Sequence, residues 1–160
     1  MTGSLSLTMP SDLEVVMTRE FNAPRHLVFD ALTKPEHIRR WWGLHEDTMT
    51  VCDVDLRVGG KWRYATQSPD GSEVAFSGVF REIVPPDRLV HTEGYEAMPG
   101  TEYVVTTTLT EVNGKTTLRS HLLYQAKEHR DGHVASGMEY GANESYDRLE
   151  AVLQKLQSPA

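Results

Sequence analysis

Apolar positions near the C-terminus follow a helical period. Val134, Met138, Gly141, Ser145, Leu149, Val152 and Leu156 recur at spacings of 4, 3, 4, 4, 3 and 4 and share one face of a helix. The pattern predicts a single long helix over about Val134 to Leu156. Its face is bulky only in the second half. Gly137 and Gly141 interrupt the first half, with Ala135, Ser136 and Ala142 alongside and Gly132 just before. A glycine inside a helix costs about 1 kcal/mol relative to alanine. These glycines therefore imply either a close backbone approach or space kept open beneath the helix, and the second alternative predicts an internal cavity.

Upstream, the period changes to that of strands separated by turn residues. Leu13 to Phe21 reads as a first strand. Two short helices follow. One runs over Pro24 to Leu32, with Pro24 suited to a first turn, and the other runs to about Trp42 behind the capping-box pattern Thr33-Lys34-Pro35-Glu36. Six further strands are expected at Thr48–Arg57, Lys61–Thr66, Val74–Val84, Arg88–Glu93, Thr101–Val112 and Lys115–Gln125. The last two are joined by Asn113-Gly114, a strong two-residue hairpin signal. Consecutive strands joined by short turns give an antiparallel meander, and only the C-terminal helix is long enough to cover one face of it. Glu144 and Arg148, at i and i+4, are expected to pair on the polar side of that helix. The expected fold class is α+β: a curved antiparallel sheet of about seven strands, ordered β-α-α-β6-α and wrapped around the long helix.

Composition narrows the class. The 160 residues suit one domain, expected over 13–157 behind a flexible Gly/Ser/Thr/Pro-containing tail at 1–12. That tail has no basic start and no apolar run, so it does not read as a secretory signal. A net charge of −7 has the wrong sign for a phosphate-backbone binder, so no nucleic-acid partner is expected. No apolar run approaches the ~20 residues of a membrane span, so no membrane insertion is expected. The single cysteine, Cys52, cannot form an internal disulfide and fits a reducing cytoplasm; flanked by Val51 and Val54, it reads as a buried thiol.

Several blocks occur together in order. They are Arg19-Glu20-Phe21-Asn22-Ala23-Pro24 with Val28-Phe29-Asp30-Ala31-Leu32, Pro35-Glu36 before Trp41-Trp42-Gly43, and Asp55-Leu56-Arg57-Val58-Gly59-Gly60-Lys61-Trp62-Arg63. Gly78-Val79-Phe80-Arg81-Glu82-Ile83 with Pro85-Pro86-Asp87-Arg88-Leu89-Val90 follows, then Gly137-Met138-Glu139-Tyr140-Gly141 with Tyr146-Asp147-Arg148-Leu149. In these the chain resembles the Hsp90 ATPase activator homolog-like branch of the START-like (SRPBCC, Bet v 1-like) superfamily. The resemblance implies a helix-grip fold with a hydrophobic cavity between sheet and long helix. It also implies a ligand that is a lipid, a polyketide or another apolar small molecule, in some relatives with cyclase or hydrolase activity. Fold alone does not assign the activity.

Period-2 alternation selects the residues that would line such a cavity. Tyr103, Val105, Thr107 and Leu109 share the less polar face of one strand, and Leu118, Ser120, Leu122 and Tyr124 that of the next. Trp62 and Tyr64 share a face, as do Phe76, Gly78 and Phe80. The candidate ligand-binding set is Trp41, Trp42, Trp62, Tyr64, Phe76, Phe80, Tyr103, Val105, Leu122, Met138 and Gly141, an apolar wall with few polar groups. Plain core packing is the competing assignment for every one of these aromatics.

Candidate chemistry is sparse. His91 and Glu93 share a strand face. Facing outward they are surface residues, the expected case for charged side chains; facing inward they form an acid–base pair, with Tyr103 as a third candidate. His129 and His133 have the i, i+4 spacing of two metal ligands but lack an HExxH frame and a third ligand, so no metal site is expected. No phosphate loop, dinucleotide fingerprint or Gly-x-Ser-x-Gly elbow occurs, and no cofactor is expected. Three functions follow. The leading one is binding of a hydrophobic small molecule or lipid, with a stress-response context. The second is a cofactor-free cyclase or hydrolase acting on an apolar substrate. The third is a chaperone-associated interaction domain, which predicts an exposed apolar or charged patch instead of an open cavity. A monomer or an edge-strand homodimer fits each of them.

Overall fold

The computed structural model describes residues 5–158. In chain order these form strands Ser6–Thr8 (β1) and Glu14–Phe21 (β2), then helices Arg25–Thr33 (α1) and Pro35–Trp41 (α2). Six strands follow: Thr48–Val54 (β3), Lys61–Gln67 (β4), Glu73–Val84 (β5), Arg88–Tyr95 (β6), Tyr103–Val112 (β7) and Lys115–Leu123 (β8). Helices Lys127–Ala135 (α3) and Met138–Gln157 (α4) complete the chain. The strands make one antiparallel sheet in the order β1-β2-β8-β7-β6-β5-β4-β3. β3 to β8 are thus an uninterrupted meander, and β2 joins its far side by pairing with β8. This is the helix-grip arrangement, with α4 held in the concavity.

Alternation explains why the sheet curves around that helix. On β7 Tyr103, Val105, Thr107 and Leu109 are buried and the intervening residues are not; on β8 the same holds for Thr116, Leu118, Ser120 and Leu122. Asn113 and Gly114 form the tight turn between them, with Val112 opposite Lys115. At the C-terminal end of α4, Leu149, Val152 and Leu153 meet Val28, Phe29 and Ala31 of α1, Ile38 and Trp41 of α2, and Phe21 of β2 in one core cluster. Arg19 of β2, 4% exposed, reaches α4 from the concave face and donates to Asp147 at 2.7 Å. No helix among the described residues is long and apolar enough to cross a membrane.

Three local features differ from the sequence expectation. The segment expected as a tail contributes β1, an eighth strand that pairs with β2 through Ser6 opposite Thr18 and Thr8 opposite Val16. This pairing is tertiary, so three residues among Ser, Thr and Pro carry no periodicity to announce it; residues 1–4 of that segment lie outside the described residues. The single C-terminal helix is two helices, because Gly137 adopts φ +93°, a left-handed conformation that strains any residue with a side chain. The capping box does not form either. Lys34 is the residue that caps α2, and the Thr33 hydroxyl instead donates back to the Phe29 carbonyl at 2.8 Å within α1.

Candidate functional site

Between the N-terminal half of α4 and the concave sheet lies a cavity of about 360 Å³. It exists because the helix presents small residues there. At Gly141 a side chain would meet no heavy atom within 4 Å, so the glycine borders open space and not a neighbouring backbone. Ala142 and Ser145 continue the same stretch of wall. On the sheet side the wall is aromatic. Trp62 and Tyr64 of β4 lie 4.6 Å apart between ring centres, and Trp42, just after α2, stands edge-on to Tyr64 at 4.9 Å and to Phe76 of β5 at 6.2 Å. Trp62 can sit there because of Gly78: a side chain at that position would lie 1.8 Å from the Thr92 carbonyl and 2.7 Å from the indole nitrogen of Trp62. That nitrogen donates to the Thr92 carbonyl at 3.2 Å.

Of the eleven candidate lining residues, Trp41, Trp42, Trp62, Tyr64, Phe76, Phe80, Val105, Leu122, Met138 and Gly141 border the cavity. Tyr103 does not. It sits behind the wall, 4.9 Å from the Tyr124 ring and 5.1 Å from His133, with its hydroxyl donating to Glu93. Tyr146, His133, Thr107 and Ser120 also border the cavity and are missing from the sequence-derived set. Thr107 and Ser120 belong to the inward-facing periodic sets, and Tyr146 follows Ala142 by one helical turn, so the signal for these was present in the pattern.

His91 and Glu93 face inward, against the expectation that they are surface residues. The reason is register. His91 pairs with Val105 and Glu93 with Tyr103, and residues directly opposite in an antiparallel pair share a face. Both border the cavity. The Thr92 carbonyl can only accept, so at 3.0 Å it fixes the proton of His91 on Nδ1 and leaves Nε2 an acceptor with no donor among the described residues. Burial drives the pKa of His91 down to about 4 and, in the same way, that of His133 to about 4. Burial also pushes the carboxyl of Glu93 up to about 7, with the hydrogen bond from Tyr103 opposing that rise. The cavity thus holds a carboxyl that titrates near neutrality and two imidazoles that are uncharged there.

His129 and His133 do not act as a pair. The Nδ1 of His133 shares a 2.6 Å hydrogen bond with the Tyr124 hydroxyl. Among the described residues no group of three or more His, Cys, Asp or Glu is placed to hold a metal ion. Cys52 is buried, and burial raises its thiol pKa, which suits packing and not nucleophilic attack. Gly43, Leu44 and Asp47 of the α2–β3 loop also line the cavity. α4 holds this loop directly. Ser145 donates to the Gly43 carbonyl at 3.0 Å, Arg148 donates to the carbonyls of Gly43 and Leu44, and Glu144 accepts from the backbone N–H of His45 at 2.5 Å. Glu144 and Arg148 therefore serve the loop and do not form the expected ion pair with each other.

A sheet gripping a long helix over an internal cavity defines the helix-grip class of proteins. The chain belongs to the family described as Activator of Hsp90 ATPase homolog 1-like protein, whose family model matches residues 22–154. Among solved structures it is similar to a protein of Rhodobacter sphaeroides at 29% identity and TM-score 0.90, covering 96% of this chain and 99% of that one. It is also similar to a protein of Nitrosomonas europaea at 25% identity and TM-score 0.82, covering 94% and 99%. A Silicibacter pomeroyi protein bearing the family's name shares the fold at 22% identity and TM-score 0.74, covering 90% and 99%. No curated protein matches the chain.

Proposed function

We propose that the protein binds a hydrophobic small molecule in the cavity beneath α4. The open space at Gly141 carries this reading: a glycine that costs helix stability, lines the cavity and would leave an added side chain without a neighbour has a use if something else occupies that space. The volume of about 360 Å³ falls within the range of small-molecule sites, and the wall combines apolar and aromatic surface with a few polar groups. The test is a thermal-shift screen of the purified protein against fatty acids, sterols, flavonoids, aromatic polyketides and long-chain amines, with Gly141→Leu in parallel. A ligand at a hundredfold excess over its dissociation constant stabilises by about 2.7 kcal/mol, a rise on the order of 5–10 °C for a chain of this size. The expected result is a shift in the wild type that is lost in the folded, cavity-filled variant. No shift across the panel, or an equal shift in Gly141→Leu, counts against an internal site.

The inward pair His91 and Glu93 favours a second reading, acid–base catalysis on an apolar substrate. A carboxyl near neutrality and an imidazole with a bare Nε2 are suited to moving protons. Incubating a bound polyketide-type ligand and following it by mass spectrometry separates the two readings. Turnover that Glu93→Gln abolishes supports catalysis, and unchanged ligand supports binding alone.

A further inference from the structure

The polar groups of the cavity narrow the class of ligand, an inference that rests on the binding reading above. Among the described residues, no Lys or Arg borders the cavity, whereas two carboxyls do, Glu93 and Asp47. Glu93 receives one hydrogen bond, from Tyr103 to Oε2; its Oε1 has no donor among the described residues. Beside it, the Nε2 of His91 is a bare acceptor, since Nδ1 is engaged by the Thr92 carbonyl. The indole N–H of Trp62 is bonded to that same carbonyl and is not free to serve a ligand. This end of the cavity thus offers unfilled acceptors and aromatic rings, and it offers no cation to an acidic head group.

We propose that the ligand is an amphipathic amine, its apolar body against the aromatic wall and its ammonium group on Oε1 of Glu93. A charge pair out of water is attracted far more strongly than one in bulk solvent. Once Glu93 is ionised, a carboxylate ligand would instead meet it with no compensating charge, and desolvating an unpaired anion is strongly unfavourable.

Titration supports the assignment. Around Glu93 stand His91 on its own strand, Tyr64 of β4, Tyr103 of β7, Tyr124 beyond β8, His133 of α3 and Tyr146 of α4. Burial raises the pKa of all four tyrosines, and both imidazoles sit at about 4. Of these groups only Glu93, at about 7, changes charge near neutral pH. Amine affinity should therefore rise as pH increases through 7 and Glu93 ionises.

The experiment compares three probes with one bicyclic body, naphthylethylamine, naphthylethanol and naphthylacetate, by titration calorimetry on the wild type and on near-isosteric Glu93→Gln. The amine is expected to bind about tenfold or more tightly than the acetate, a difference of about 1.4 kcal/mol. In Glu93→Gln that advantage should vanish while the alcohol keeps its affinity within about twofold. An acetate or alcohol probe that binds wild type as tightly as the amine overturns the assignment without reference to any variant. So does an amine preference that survives Glu93→Gln; in both cases the cavity reading stands. If none of the three binds, the amine assignment fails, and the thermal-shift panel decides the cavity reading separately.

Discussion

Along α4, Leu149 and Leu153 are fully buried among the residues of α1, α2 and β2, whereas two turns earlier Gly141, Ala142 and Ser145 border a cavity. Both stretches follow the same helical spacing, and the sheet beneath them is continuous. They differ in side-chain volume. The C-terminal half fixes where the helix lies, and the N-terminal half is then held at a distance it does not fill. The contacts around the space share that purpose: Arg19 to Asp147 from the sheet, and Ser145, Arg148 and Glu144 to the α2–β3 loop. One end of the helix makes the fold stable enough to carry an unfilled volume at the other.

The largest effect expected from this contrast is at the packed end. Leu153→Ala removes a fully buried side chain from the main core cluster. A loss of about 4 kcal/mol is expected for such a truncation, or a fall in melting temperature on the order of 10 °C. Urea denaturation followed by circular dichroism measures it. A loss below about 1 kcal/mol would mean that the C-terminal half does not anchor the helix, and the contrast would collapse.

At the cavity end stability should depend on pH, and the sign follows from the direction of each shift. Glu93 rises from an ordinary 4.5 to about 7, so the folded state holds its proton more tightly than the unfolded chain. Its contribution is fully present below about pH 4.5 and is lost as pH rises through 7. His91 and His133 fall from 6.5 to about 4, so their contribution is present above pH 6.5 and lost as pH falls through 4. Wild-type stability should therefore be limited on both sides. Glu93→Gln removes only the loss on the alkaline side, so between about pH 5 and 8 the variant should gain on the wild type by up to about 3 kcal/mol. Melting temperature against pH for the two proteins checks this. Parallel curves would show that Glu93 meets bulk solvent and that the cavity end is not dry.

How much of this was legible in the sequence depends on the range of the interactions involved. The inward sets on β7 and β8, the Asn113-Gly114 turn and the order of elements from β2 to β8 follow from local alternation and turn chemistry, and they stand in the structure as expected. The facing of His91 and Glu93 did not follow. Leu89 and Val90 are both apolar, so the alternation of β6 points both ways, and only the pairing with Val105 and Tyr103 decides it. Glu144 and Arg148 have the spacing of an ion pair, but the loop at Gly43 to His45 presents backbone groups that each can serve, and no local pattern announces that loop. β1 was hidden for the same reason. Gly137 and Gly141 look alike in sequence, yet one breaks the helix through its φ angle and the other leaves room beneath it.

That last difference supplies the smallest and most selective test. If Gly141 is kept for space, adding one methyl group should meet nothing, since no heavy atom lies within 4 Å of where it would stand. Gly141→Ala should then stabilise the protein by up to about 1 kcal/mol, through helix propensity alone. Had the glycine been needed for a close backbone approach, the same change would be destabilising through overpacking, typically by about 1–3 kcal/mol. The sign of the change in urea midpoint, at constant slope, distinguishes the two. Gly141→Leu extends the comparison by projecting a larger side chain into the cavity. A series in which Ala raises stability and Leu retains the fold while excluding ligand would show that the weak half of α4 is under-packed for occupancy. A fall in stability already at Ala would return the whole helix to ordinary core packing.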